Sequence, residues 1–166
     1  MNVYPDLYLN SVIDINATLL KKNKLGALIL DVDNTLIDYY KNLVDGAEDW
    51  CENLKSEGIK CIILSNSNNR EKVETVAKKL GIKYILFAKK PLKSGFKRAL
   101  EKLEMKPEQV AVVGDQIFTD VIGAKRMNMF SILVKQVAEK DIFITKVKRP
   151  IENAIIKKYL REKGKK

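Results

Sequence analysis

The sequence of 166 residues contains no histidine, and this absence excludes several kinds of active site at once. Zinc sites built on histidine, Ser-His-Asp triads and histidine general bases all require the imidazole ring. A catalytic site in this chain must therefore be built from carboxylates, lysines, hydroxyls and backbone groups.

Cysteines and long apolar runs are also scarce. Cys51 and Cys61 lie in apolar, periodic segments, which favours two reduced core thiols over a disulfide or a metal site. No apolar run approaches the roughly 18 residues that a membrane-spanning helix needs. The first residues, Met1 to Asp6, lack the basic and then apolar order of a secretory signal, so we expect a cytoplasmic protein.

The composition is that of an ordinary globular chain, with 46% hydrophobic and 31% charged residues. A chain of this length can bury roughly two-thirds of the surface that it exposes when unfolded. We therefore expect one domain that spans residues 1–166.

The net charge of +10 is unevenly placed, because the segment from Lys135 onward holds eleven basic and four acidic residues. A helix is predicted over about residues 149–163. Packing of its apolar side on the sheet layer is the default, and docking on a membrane surface is the alternative. Anionic lipid and nucleic acid both attract a basic segment, so its charge does not choose between these partners. The residues on the apolar side are Ile151, Ile155, Ile156, Tyr159 and Leu160.

Short apolar runs alternate with segments of helical periodicity, which is typical of a parallel sheet covered by helices. We predict an α/β, Rossmann-like three-layer fold with a five-stranded parallel sheet and no cap domain. The predicted strands are Ala27–Asp31, Ile59–Leu64, Tyr84–Phe87, Val110–Val113 and Phe130–Val134. The predicted helices are Asn16–Lys22, one capped by Asp45 that stops at Gly58, Arg70–Leu80, one from about Ser94 that ends before Pro107, and Val121–Met127.

The central stretch of the sequence is the apolar run Leu28–Leu36, which is interrupted by Asp31 and Asp33. In open parallel sheets, ligands bind beyond the carboxyl ends of the strands, so both carboxylates can face one crevice. Aspartate and asparagine also form turns, and a simple turn after the strand is the alternative interpretation.

Other polar clusters likewise come directly after predicted strands. They are Ser65 with Asn66, Lys90, and Asp115 with Asp120. The carboxyl ends of parallel strands lie at one edge of the sheet, so we expect these clusters to converge. Carboxylates, a lysine and a hydroxyl suit phosphoryl transfer assisted by Mg²⁺, because that reaction needs positioning and charge neutralisation. Asp31 then suits the nucleophile and Asp33 the general acid and base.

These clusters resemble the four ordered motifs of the haloacid dehalogenase-like (HAD) superfamily. The motifs are Asp31-x-Asp33-x-Thr35, the strand that ends in Ser65-Asn66, Lys90-Pro91, and Gly114-Asp115-x-x-x-x-Asp120. The Lys-Pro form resembles subclass IIIA phosphatases. Pro5-Asp6-Leu7-Tyr8 and Thr119-Asp120-Val121-Ile122-Gly123 are similar to the YqeG-type branch, which is related to phosphatidylglycerophosphate phosphatases.

The resemblance implies a role for each site residue. Asp31 would be the nucleophile, Asp33 the acid and base, and Lys90 the cation between nucleophile and phosphate. Mg²⁺ would be held by Asp31, the backbone carbonyl of Asp33 and Asp115, while Asp120 supports the metal shell or Lys90. The candidate metal ligands are Asp31, Asp33, Asp115 and Asp120, and the candidate substrate-binding residues are Thr35, Ser65 and Asn66.

The resemblance also implies a function. An aspartate at position 33 accompanies phosphatases within the superfamily, so we expect an Mg²⁺-dependent phosphomonoester hydrolase with an aspartyl-phosphate intermediate. Spacing leaves no room for a cap domain at either place where relatives insert one, so the site should accept a large or surface-bound substrate or be covered by another subunit of a homo-oligomer. The resemblance alone favours phosphatidylglycerophosphate as the substrate. The alternatives are a polynucleotide 3′-phosphatase, another small-molecule phosphatase and, more distantly, a receiver-like regulatory domain.

Overall fold

Six strands form one parallel sheet within residues 2–137 and 143–164, the part of the chain that this computed structural model describes, with side chains of residues 143–147 excepted. The strand order is β1-β6-β5-β2-β3-β4. The strands are β1 Leu7–Leu9, β2 Ala27–Leu30, β3 Lys60–Leu64, β4 Lys83–Ile85, β5 Val110–Gly114 and β6 Phe130–Val134. The helices are α1 Ala17–Lys22, α2 Ala47–Ser56, α3 Arg70–Leu80, α4 Lys93–Leu103, α5 Ile122–Arg126 and α6 Phe143–Lys163.

The predicted fold class is confirmed, but the prediction of five strands is wrong. The additional strand, β1, pairs in parallel with β6, with Leu7 opposite Ile132 and Leu9 opposite Val134. Its three residues are only partly buried, and a run of three residues is too short to show the alternation that predicts a strand. Asp6 attaches this edge strand, because its carboxylate accepts hydrogen bonds from the backbone N–H and the hydroxyl of Ser131, both at 2.8 Å.

The central strand β2 lies between β3 and β5 and is buried along its whole length. Its side chains alternate between two faces, which gives the sheet a core on each side. Leu28 and Leu30 pack in the cluster that contains Trp50 of α2 and Val73 of α3. Ile29 packs in the cluster that contains Phe96 of α4. The sheet is therefore the middle of three layers, with helices packed on both of its faces. The carboxyl ends of the parallel strands lie together along one side of the sheet.

Several predicted boundaries differ by a few residues, for reasons of backbone conformation. Helix α2 is capped by Gly46 and not by Asp45, because Gly46 takes a left-handed conformation with φ of 79° that turns the chain into the helix. Strand β4 ends at Ile85, before the predicted Phe87, because Phe87 and Lys89 have φ of 51° and 54° and leave the extended conformation. A π-helical turn over Ile117–Val121 precedes α5.

The C-terminal helix begins earlier than predicted, at Phe143, and it packs with only part of its expected apolar side. Ile155 and Ile156 pack against the cluster of Ile117, Val121 and Leu133. Tyr159 is also buried, whereas Ile151 and Leu160 are 57% and 48% exposed. Among the described residues, no helix combines the length and the apolarity that crossing a bilayer requires.

The end of β5 approaches the following turn so closely that only glycine fits at position 114. An ideal Cβ on Gly114 would lie 2.2 Å from the side chain of Asp120, which is buried. Real Cβ contacts are never this short, so any larger residue must displace Asp120 or the strand end.

Replacement of Gly114 by alanine is therefore expected to lower the free energy of unfolding by about 1–3 kcal/mol. Denaturant unfolding followed by circular dichroism measures the change. Gly164→Ala is the matched control, because the nearest atom to its added Cβ lies at an ordinary 3.4 Å. If the two variants have the same free energy of unfolding, Asp120 can move away from the added methyl group without loss of stability, and the prediction is wrong.

Candidate active site

The polar side chains that follow β2, β3, β4 and β5 lie at one edge of the sheet. Strand β2 is in register with both neighbours, with Leu30 opposite Ile63 of β3 and opposite Val113 of β5. The backbone N–H of Asp31 donates to the carbonyl of Val113 at 2.9 Å, so Asp31 is held beside the end of β5. Parallel pairing thus brings residues that are distant in sequence to one place.

The ammonium group of Lys90 links two of these strand ends. Its Nζ donates to Asp31 Oδ1 at 2.7 Å and to Asp120 Oδ1 at 2.8 Å, and the Lys90 side chain is only 3% exposed. Burial alone would lower the pKa of Lys90, but the two carboxylates outweigh it and hold that pKa above its usual value. Lys90 is therefore a fixed positive charge inside the site.

Three carboxylates surround this charge closely enough to share a cation. One oxygen each from Asp31, Asp115 and Asp120 lies within 4.8 Å of the others. Such an all-oxygen set suits a hard divalent ion. Asp120 accepts from Lys90 through Oδ1 and from the backbone N–H of Gln116 through Oδ2, at 3.2 Å. Both oxygens of Asp120 are therefore engaged by neighbouring protein groups.

Crowding of these acids changes their ionisation. Burial, followed by repulsion from Asp120 and Asp115, raises the pKa of Asp31 to about 8, although Lys90 opposes the shift. Burial and Asp120 raise the pKa of Asp115 to about 6, and the Arg149 guanidinium opposes that shift. Because like charges at short range disfavour ionisation, a bound cation would relieve the repulsion and favour the charged forms.

Asp33 stands apart from the three carboxylates, on the open side of the site. Its side chain is 49% exposed, and both of its oxygens accept hydrogen bonds from Lys72 Nζ, at 2.7 and 2.9 Å. Lys72 lies in the first turn of α3 and was not among the predicted site residues. It could have been considered, because α3 begins shortly after β3 and its first turn must lie near the same edge.

The predicted substrate-binding residues occupy three different environments. The Asn66 side chain bridges the backbone of Lys90, since Oδ1 accepts from its N–H at 2.7 Å and Nδ2 donates to its carbonyl at 3.1 Å. The hydroxyl oxygen of Ser65 accepts from the N–H of Ser67 at 3.1 Å. The Thr35 hydroxyl is buried and points at Asp115 Oδ1, at 3.5 Å. The Asn66 side chain thus holds the backbone of Lys90 in place. The Thr35 hydroxyl contacts Asp115 in the protein interior.

A second basic residue that the motifs do not contain reaches the site from α6. The Arg149 guanidinium donates to the carboxylate of Asp115, and the Arg149 side chain is 11% exposed. The sequence predicts no role in the site for the basic C-terminal segment, because no local sequence signal distinguishes Arg149 from its basic neighbours.

Comparison with known proteins agrees with the motifs. A family model described as haloacid dehalogenase-like hydrolase matches residues 39–128, which include Ser65, Lys90, Asp115 and Asp120. The chain is 38% identical over 161 residues to the probable phosphatase YqeG of Bacillus subtilis, covering 96% of this chain and 92% of that protein. It is 29% identical over 128 residues to a glyceraldehyde 3-phosphate phosphatase of Pyrococcus furiosus, covering 71% of this chain and 53% of that protein.

Solved structures share the fold. An uncharacterized protein from Listeria monocytogenes serotype 4b aligns with a TM-score of 0.56 and 22% identity, over 71% of this chain and 86% of that one. The cobalt-bound deoxy-D-mannose-octulosonate 8-phosphate phosphatase of Haemophilus influenzae aligns with a TM-score of 0.50 and 20% identity, over 57% of this chain and 61% of that one.

The family model matches more than half of the chain, and the Bacillus subtilis relative covers nearly all of it. The predictions of a HAD-type fold and of an enzyme are confirmed. The chain belongs to the haloacid dehalogenase-like hydrolase family and is an enzyme of its phosphatase type.

Proposed function

We propose that this enzyme is an Mg²⁺-dependent phosphomonoester hydrolase that works through an aspartyl phosphate on Asp31. The observation that carries the proposal is the Lys90 ammonium, fixed between Asp31 and Asp120 beside a third carboxylate. This arrangement offers a nucleophile, a cation for the phosphoryl oxygens and ligands for a metal in one place. Such positioning and charge neutralisation are what phosphoryl transfer requires from a protein.

The reaction would proceed in two steps on the protein's own groups. An oxygen of Asp31 forms a bond to phosphorus while the bond to the leaving oxygen breaks, and Asp33 gives that oxygen its proton. Asp33 then takes a proton from water as the water attacks phosphorus, which frees Asp31 and inorganic phosphate. Lys72 holds the Asp33 side chain in place through both of its carboxylate oxygens.

The cluster of carboxylates fits a divalent ion that Asp31 and Asp115 would hold. The resemblance to the family motifs adds the backbone carbonyl of Asp33 as a third ligand. Asp120 would support this shell through Lys90, whose ammonium group donates to Asp120 Oδ1. When bound, Mg²⁺ would neutralise the oxygens of the transferred phosphoryl group. Ser65, the backbone N–H of Asn66 and Lys90 would hold those oxygens from the protein side, and Thr35 would act through Asp115.

The proposed substrate is phosphatidylglycerophosphate, presented at a membrane surface to a peripheral, cytoplasmic enzyme. Two features support a large or surface-bound substrate. The segment 34–46 after β2 and the segment 86–92 after β4 are too short to hold a cap domain. They also expose large apolar side chains near the edge that carries the site. These side chains are Tyr39, Tyr40, Phe87 and Leu92.

A small phosphorylated metabolite is the second candidate substrate. It is favoured by the similarity to the Pyrococcus furiosus protein, whose name states a three-carbon sugar phosphate. The chain spans about half the length of that relative, so the similarity supports the chemistry more than the choice of substrate.

Replacement of Asp31 by asparagine is expected to lower kcat for an aryl phosphate by more than about 1000-fold, because the amide cannot form the acyl phosphate. Steady-state hydrolysis in Mg²⁺ measures the loss, with circular dichroism to verify folding. Asp49→Asn, on the exposed side of α2, is the matched control and should keep full activity. Turnover by Asp31→Asn would disprove the assigned nucleophile.

Removal of divalent ions with EDTA is expected to abolish hydrolysis by the wild type, and excess Mg²⁺ should restore it.

The raised pKa of Asp31 predicts how the metal-free protein responds to pH. An unfolded aspartate ionises near 3.8, whereas native Asp31 keeps its proton up to about 8. The native state therefore binds more protons in this window, and Asp31 makes the free energy of unfolding fall as pH rises through it. Asparagine cannot ionise, so the stability of Asp31→Asn relative to wild type should increase with pH.

Thermal unfolding of both proteins in EDTA, at about pH 5 and about pH 8, measures this difference. Excess Mg²⁺ should reduce the wild-type loss at the higher pH, because the ion favours the ionised carboxylates. If the stability difference between Asp31→Asn and wild type is the same at both pH values, the proposed environment of Asp31 is contradicted.

A substrate panel tests the lipid proposal. It contains phosphatidylglycerophosphate in vesicles, glyceraldehyde 3-phosphate, a sugar phosphate and an oligonucleotide 3′-phosphate, each assayed with wild type and Asp31→Asn. We expect kcat/KM for the lipid to exceed the others by at least about tenfold, which corresponds to about 1.4 kcal/mol. A preference for any soluble substrate would overturn the lipid proposal while leaving the phosphatase assignment intact.

A further inference from the structure

Arg149 holds Asp115 at two points. Its Nη2 donates to Asp115 Oδ2 at 2.5 Å, and its Nη1 donates to the backbone carbonyl of Asp115 at 2.9 Å. We propose that Arg149 is a positioning residue for the metal site, which fixes the orientation in which the Asp115 carboxylate binds the ion. This inference rests on the proposed function, because it assumes that a divalent ion binds these carboxylates.

The guanidinium group is suited to this task by its shape. Its nitrogens form a planar fork, so contacts to a carboxylate and to the same residue's carbonyl restrict both the strand end and the carboxylate rotation. The second oxygen, Oδ1, faces the Thr35 hydroxyl at 3.5 Å. Asp115 is thereby held on both sides, and its side chain has no exposed surface.

Glu152 orients the guanidinium in turn. Arg149 Nη1 donates to Glu152 Oε2 at 3.4 Å, and the other carboxylate oxygen accepts from the backbone N–H of Phe118 at 3.0 Å. Glu152 is only 1% exposed, so it is part of the interior and not of the basic surface. The pair connects α6 to the turn between Asp115 and Asp120, and Glu152 offsets the positive charge that Arg149 brings near the metal site.

Helix α6 is anchored independently of this polar contact. Ile155 and Ile156 pack against Ile117 and Leu133, one turn beyond Glu152. Arg149 therefore projects from an element whose position is already set by apolar packing. The basic C-terminal segment thus has two parts, since Arg149 serves the site while Lys157 and Lys158 remain exposed.

The test is metal binding by the full-length protein, measured with Mn²⁺ by electron paramagnetic resonance as well as by Mg²⁺ titration of activity. Partners that orient metal ligands typically contribute 10- to 100-fold to affinity, so Arg149→Leu should weaken Mn²⁺ binding by at least about tenfold. At saturating Mg²⁺, kcat should fall much less than the affinity. Arg161→Leu, at an exposed position of the same helix, is the matched control and should bind as wild type does.

Arg149→Lys keeps the charge but lacks the fork, so we expect intermediate affinity, at least about threefold weaker than wild type. This variant also covers the case in which leucine impairs folding. Unchanged affinity in Arg149→Lys, or tighter binding in Arg149→Leu, would overturn the inference, because mere removal of a nearby cation strengthens metal binding. Metal-independent hydrolysis by the wild type would instead contradict the proposed function itself.

Discussion

The buried ammonium group of Lys90 is the constraint on which the site depends. A charge removed from water is stable only when it is paired, and Lys90 is paired with Asp31 and Asp120 at hydrogen-bond distance. These two acids come from different segments, so the one lysine joins the end of β2 to the turn after β5. It also opposes the effect of burial and of repulsion among the three carboxylates, which together raise the pKa of Asp31 and of Asp115.

The rest of the architecture keeps this ion triad in place. The side chain of Asn66 holds the backbone of Lys90 on both its N–H and its carbonyl, which connects the end of β3 to the end of β4. Gly114 allows Asp120 to come within a distance that no side chain could tolerate. Arg149 and Glu152 secure Asp115 from α6. Much of the polar network at this edge therefore fixes the relative positions of Lys90 and the three carboxylates.

The sequence predicted the parts of this arrangement that follow from local rules. Asp31 and Asp115 come directly after apolar strands, and Lys90 and Asp120 lie in the turns that follow β4 and β5. Parallel strands must end at one edge, so the convergence of these residues could be expected. Strand β1 was missed because its three residues are too few to show the alternation of apolar and polar side chains that predicts a strand. Lys72 was missed although α3 begins shortly after β3. Arg149 was missed because its role depends on where α6 packs, and helical periodicity predicts the buried face of a helix without its distance from a strand end.

The most direct test of the central claim is a crystal structure of the enzyme with Mg²⁺ and beryllium fluoride, an analogue of a phosphoryl group on aspartate. The account predicts beryllium fluoride on Asp31, Mg²⁺ between Asp31 and Asp115, and Lys90 still in contact with Asp31 and Asp120. An ion bound elsewhere, or Lys90 turned away from both acids, would contradict it.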